Sequence, residues 1–227
     1  MGSVSREDNL DVSPQPAEIG WLGGVFFLSG AAALIYQVAW ERVLYAIFGI
    51  NTEAVTVLVT AFLLGLGIGS IVGGWISEKP GCQHLQWFGA AELGVAVFGA
   101  MSIPFYHAVG SITLGMGRAP TAIITFLLVL APTLLMGATL PLLVTYAVKL
   151  SGNVGWSVGT LYCVNTAGSA LAAILSVTVL LPFAGLQRSV WIAATCNIVV
   201  ALVALKRAAL ERKRVARQAV PLTESIA

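Results

Sequence analysis

Apolar residues run in long blocks along this chain, and the polar residues between them are few and clustered. The first block reads WLGGVFFLSGAAALIYQVAW, with Trp21 and Trp40 at its ends, where interfacial aromatics belong. It continues through ERVLYAIF, an amphipathic extension closed by Gly49, a residue suited to a helix stop. Further blocks extend over about Ala54 to Ile76, Leu85 to Val109, Thr121 to Val148, Val154 to Leu181 and Ser189 to Leu205. A spanning helix needs roughly 20 apolar residues, with a range of about 17 to 25. The pattern therefore predicts six transmembrane helices. Pro132 and Pro141 predict bends in the fourth, or its division into two shorter segments, because each removes a backbone donor. Pro182 predicts the end of the fifth.

Composition strengthens this picture. Hydrophobic residues make up 58% of the 227-residue chain and charged residues 10%, with a mean hydropathy of +0.90. Soluble domains carry about 25% charged residues. Lipid is thus the expected solvent, and an all-α polytopic membrane bundle the expected fold class. The expected organisation is a flexible polar leader over 1–19, a six-helix transmembrane domain over 20–206 and a basic cytoplasmic tail over 207–227. The leader carries Glu7, Asp8, Asp11 and Glu18, and no cleavable signal pattern is visible in it.

Charge sets the expected topology. The stretch KRAALERKRVAR, from Lys206 to Arg217, holds six basic residues and one acid. It reads as the basic flank of a last span, beside anionic lipid, rather than as a nucleic-acid site. Membrane lipids are the expected partners and nucleic acid is not. The positive-inside rule places this tail in the cytoplasm, and six spans then place both termini there. Lys79 and Lys149 fall on the same side, with Arg42, Arg118 and Arg188 opposite.

Candidate chemistry is sparse. In the second span, GLGIGSIVGG puts Gly65, Gly69 and Gly73 on one helix face, a ridge for close helix approach. A nucleotide loop would need a strand before the glycines, which a hydrophobic span does not supply. Gly159 and Cys163, four apart, suggest similar packing in the fifth span. Glu92 lies inside the third span, where a carboxylate is costly unless paired or wet. It is a candidate proton or cation contact, or else a hydrogen-bonded buried acid. Asn165, with Tyr162 one turn earlier, offers an amide near mid-span for substrate or for another helix. Glu41 and Arg42, near Tyr36 and Gln37, form either a polar pocket rim or an interfacial turn. Glu53 suits the positive end of the second helix. Cys82, Cys163 and Cys196 have no ligand spacing, and His84 and His107 make no metal pattern. Ser70 and Ser102 lack an activating partner. No catalytic, metal or cofactor site is expected.

Several stretches resemble the membrane region of the fused spermidine synthase-like proteins. They are SGAAALIYQVAWERVLYAIFG (Ser29–Gly49), AFLLGLGIGSIVGGWISEK (Ala61–Lys79), APTLLMGATLPLLVTYAV (Ala131–Val148) and GTLYCVNTAGSALAAIL (Gly159–Leu175). LLPFAGLQRSV (Leu180–Val190) is similar to the family's junction before its sixth span. The resemblance implies a six-helix bundle like half of a major facilitator transporter. It also implies a bacterial cytoplasmic (inner) membrane location. Family members add a soluble aminopropyltransferase-like domain, and no glycine-rich nucleotide loop of that kind is seen here. GWISEK resembles the transporter loop between the second and third helices, with Glu78 and Lys79 where Asp and Arg are usual, and with Pro80 and Gly81 in place of its Gly-Arg end.

Three functions follow as expectations. The first is a membrane scaffold or partner subunit without its own catalytic domain, joined to a separate soluble or membrane subunit. The second is a transporter or half-transporter for a small, cationic solute, completed by a homodimer. The third is a membrane enzyme acting on a polyamine or lipid.

Overall fold

Proline at a helix start loses nothing, because its missing N–H would be unpaired there. Pro16 opens α1 (Pro16–Phe48) in this way. Gly49 closes it with φ of +69°, and its N–H donates to the Tyr45 carbonyl at 2.9 Å. The chain then forms α2 (Asn51–Ser77), α3 (His84–Ile112) and α4 (Arg118–Ser151). Next comes α5 (Val154–Leu175), capped by the Asn153 side chain, which accepts from the Trp156 N–H at 2.9 Å. A π-helical segment (Ser176–Ala184) leads into α6 (Gly185–Ala219). The computed structural model describes residues 16–49 and 51–219, and no strand occurs among them. Most of the polar leader, residues 1–15, and the end of the tail, 220–227, lie outside the described residues.

Among the described residues, five helical stretches, not the expected six, are long and apolar enough to cross a membrane. The difference arises at Pro182. It does not end the helix; the chain widens into a π-turn that accommodates the ring, so the last two expected spans join into one stretch, Val154–Arg217. Gly185 then adopts φ of +77°, a conformation that L side chains rarely adopt. The direction of the chain reverses there. Leu161 packs in the same cluster as Leu22 and Ala204, whereas Ala172 packs with Tyr36 and Val190. The first part of the stretch thus runs from one end of the bundle to the other, and α6 returns.

Pro132 and Pro141 leave α4 as one helix. Trp40 corrects the expectation of an interfacial aromatic. It is fully buried, stacked on Tyr36, and its indole N–H donates to Ser102 Oγ at 2.9 Å. Trp21 does sit near a bundle end, with the Arg207 guanidinium 5.2 Å from its ring. Large apolar side chains cover the outside, including Ile71, Trp75 and Phe183, as a surface immersed in lipid requires.

Two apolar cores are stacked along the bundle. One joins the C-terminal half of α1 to the starts of α2 and α6 and to the later part of α3. The other joins the N-terminal part of α1 to the start of α3 and the later parts of α4 and α6. Between them, in α1, α3 and α6, lie Ser29, Glu92 and Asn197. The polar layer is therefore at mid-bundle depth.

Candidate functional site

Three glycines on α2 face α4. Gly65 meets Thr133, Gly69 meets Leu134 and Gly137, and Gly73 meets Ala138 and Pro141. A Cβ at any of these three would collide with the facing helix. Ser70 Oγ crosses the same seam to the Gly137 carbonyl at 3.1 Å. Gly159 differs. Open space surrounds it, and α5 approaches α1 through Gly168, against the Phe27 backbone, and through Ser169, which donates to the Gly30 carbonyl at 3.0 Å.

Beside this tight packing lies a cleft of about 520 Å³, walled by α1, α2, α4 and α5. Phe26, Phe62, Leu66 and Met136 give it apolar surface. Glu92, Tyr162 and Asn165, three of the residues singled out from the sequence, all line it, together with Gln37. Glu41 and Arg42 do not. They lie farther along α1, Glu41 half-buried and Arg42 exposed. Glu53 is paired at 3.0 Å with Arg118, at the starts of α2 and α4.

Glu92 is the charged residue of the cleft and is almost completely buried. One carboxylate oxygen accepts from Ser29 Oγ at 2.6 Å, and the other accepts from the Asn197 side-chain amide. Each oxygen thus takes one hydrogen bond from a neighbouring helix, and further lone-pair positions remain on the group. No cationic side chain pairs with it among the described residues. Asn197 is buried as well, and its Oδ1 has no hydrogen-bond partner. Two hydroxyls of the cleft wall spend their hydrogens on backbone carbonyls: Ser70 on Leu66 and Thr139 on Met136. Gln37, Tyr162, Asn165 and Thr166 add side chains that can both accept and donate.

Sequence reading identified the acid but not its partners. Ser29 and Asn197 were the missed residues. Asn197, an amide between ATC and IVVALVAL in the last span, was visible as a polar group at membrane depth. Its pairing across 105 positions with Glu92 was not.

Comparison with curated proteins finds "Polyamine aminopropyltransferase 1" of Ralstonia nicotianae (strain ATCC BAA-1114 / GMI1000), 25% identical over 197 residues. The alignment covers 86% of this chain and 36% of that protein, so the chain spans about a third of the relative's length. This is distant homology to a spermidine synthase-like protein. No family model and no solved structure matches the chain. The helices and the homology together are consistent with a membrane-embedded, mostly helical protein distantly related to a spermidine synthase-like protein.

Proposed function

We propose that this chain is a membrane scaffold or partner subunit of a spermidine synthase-like system, in the architecture of half of a major facilitator transporter. The observation that carries this reading is the distant alignment of most of this membrane-type chain with part of a polyamine aminopropyltransferase. In this reading the membrane domain over 20–206 crosses a bacterial cytoplasmic membrane six times, between a polar leader and a basic tail. The reversal at Gly185 supports six crossings. A straight helix of the 64 residues Val154–Arg217 would extend about 95 Å, roughly three times the hydrocarbon core. The exposed basic face of α6 beyond Lys206 supports a cytoplasmic C-terminus. That same helical extension is held to the bundle by the Tyr146–Glu211 hydrogen bond, and it is a natural seat for a soluble subunit.

The test is purification of the tagged chain from its native membranes in mild detergent. A soluble aminopropyltransferase-type subunit should co-purify in constant ratio, and truncation after Lys206 should release it. A chain that elutes alone, with the distribution of that activity unchanged when the chain is deleted, would sink the scaffold reading. Tags at both termini should be shielded from reagents outside the cell.

The cleft favours a second reading, a transporter or half-transporter for a small solute, with a second copy completing the path. Uptake by reconstituted protein should be lost in Glu92→Gln. Undiminished uptake in that variant removes Glu92 as the coupling acid.

A further inference from the structure

An ionised carboxylate inside a membrane bundle is expensive, by several kcal/mol after relaxation, unless a cation or enough donors compensate it. Glu92 receives one donor on each oxygen. A carboxylate has about four lone-pair positions, so capacity remains for further donors. Asn197 Oδ1 adds a buried acceptor without a partner, one residue that touches Glu92 and also lines the cleft. An unsatisfied buried acceptor costs about 1–3 kcal/mol. Both deficits have the same remedy, a positively charged group that carries several N–H donors.

The rest of the cleft narrows the class. The hydroxyls of Ser29, Ser70 and Thr139 already donate to protein acceptors, so they present lone pairs, and Gln37, Asn165 and Thr166 add side-chain oxygens that can accept as well. No Lys, Arg or His lines it, so nothing there repels a cation. A bare metal ion would leave most of the space unfilled, for 520 Å³ is in the range of small-molecule sites, roughly 300–1,000 Å³. The walls are mainly apolar, with Phe26, Phe62 and Leu66 available to an alkyl chain.

We propose that the mid-bundle cleft binds an alkylammonium ion, its head group on Glu92 and Asn197 and its hydrocarbon part along α1 and α2. This deepens the second reading by naming its solute class, and it rests on that reading for the site alone. Passage across the membrane is not required. Loss of uptake with binding retained would remove transport and leave the site standing; loss of binding would remove the site and leave the scaffold reading untouched.

The experiment uses the purified chain in lipid nanodiscs, with n-butylammonium and 1,4-diaminobutane as probes. Sodium chloride and 1-butanol serve as a charged and an isosteric neutral control. Both ammonium probes should raise the melting temperature saturably, and Glu92→Gln should weaken their binding at least tenfold. A variant that fails to fold does not stall the test, because carbodiimide labelling of wild-type Glu92, read by mass spectrometry, reports on the same site. n-Butylammonium should protect Glu92 from labelling, and 1-butanol and sodium should not. Equal stabilisation or protection by either control overturns the proposal, as does unchanged affinity in Glu92→Gln or the absence of any saturable effect in the wild type.

Discussion

The α2–α4 seam and the α1–α3–α6 layer solve one problem in opposite ways. Helices in lipid gain little from burying apolar surface against each other, so they associate by close packing or by polar contacts. At the seam, glycines bring the two backbones together along Gly65, Gly69 and Gly73, and Gly137 answers from the other side. In the polar layer, a single acid joins three helices through Ser29 and Asn197. The seam leaves no room for a ligand. The layer opens onto a cleft and keeps an acceptor unsatisfied. Rigid packing and unmet hydrogen-bonding capacity are thus placed side by side, with α2 serving both.

Substitutions can break this contrast. The largest effect is expected from Gly69→Leu, which drives a side chain into the Leu134 carbonyl and Gly137. Overpacking of this kind costs about 3 kcal/mol or more, and thermal unfolding in detergent should show a collapse of the folded population. Gly74→Leu, on the open face of the same helix, is the control and should melt near the wild type. If both variants melt alike, the seam is not the rigid element.

Asn197→Leu comes next. It removes one donor from the Glu92 carboxylate, and the expected loss is about 1–3 kcal/mol. Ser29→Ala should cost a similar amount, and the double variant should depart from additivity because both residues serve one acid. Strict additivity in a denaturation series would mean that the layer is not one network. Ser169→Ala removes the interhelical bond to Gly30 and should cost about 1 kcal/mol or less. Arg118→Ala should be the mildest, within about 0.5 kcal/mol, because its pair with Glu53 is largely exposed. A larger loss there would show that the helix ends, and not the mid-bundle layer, hold the structure.

Much of this was legible along the chain. Long apolar blocks announced the helices, and the four-residue spacing of glycines announced the face of α2 that packs. Gly49 was readable as a stop because its backbone freedom is local. Glu92, Tyr162 and Asn165 were readable as candidates because polar groups at membrane depth are rare. Trp40 was misread at first sight, since an aromatic at the end of a 20-residue block suits an interface equally well. Only the longer course of α1, and the Ser102 hydroxyl that accepts its N–H, place it in the interior.

The sequence by itself determined the solvent and the elements: hydropathy and residue spacing act locally, within one helix. Tertiary structure alone decided which polar residues meet. Ser29, Glu92 and Asn197 belong to three helices, and Tyr162 and Asn165 join their cleft from a fourth. It also decided that Gly168, not Gly159, takes the close contact on α5, because that choice depends on which face α1 happens to cover. Likewise Pro182 reads as a stop on paper. The π-turn absorbs it, and the reversal falls instead at Gly185, where the backbone can turn without strain.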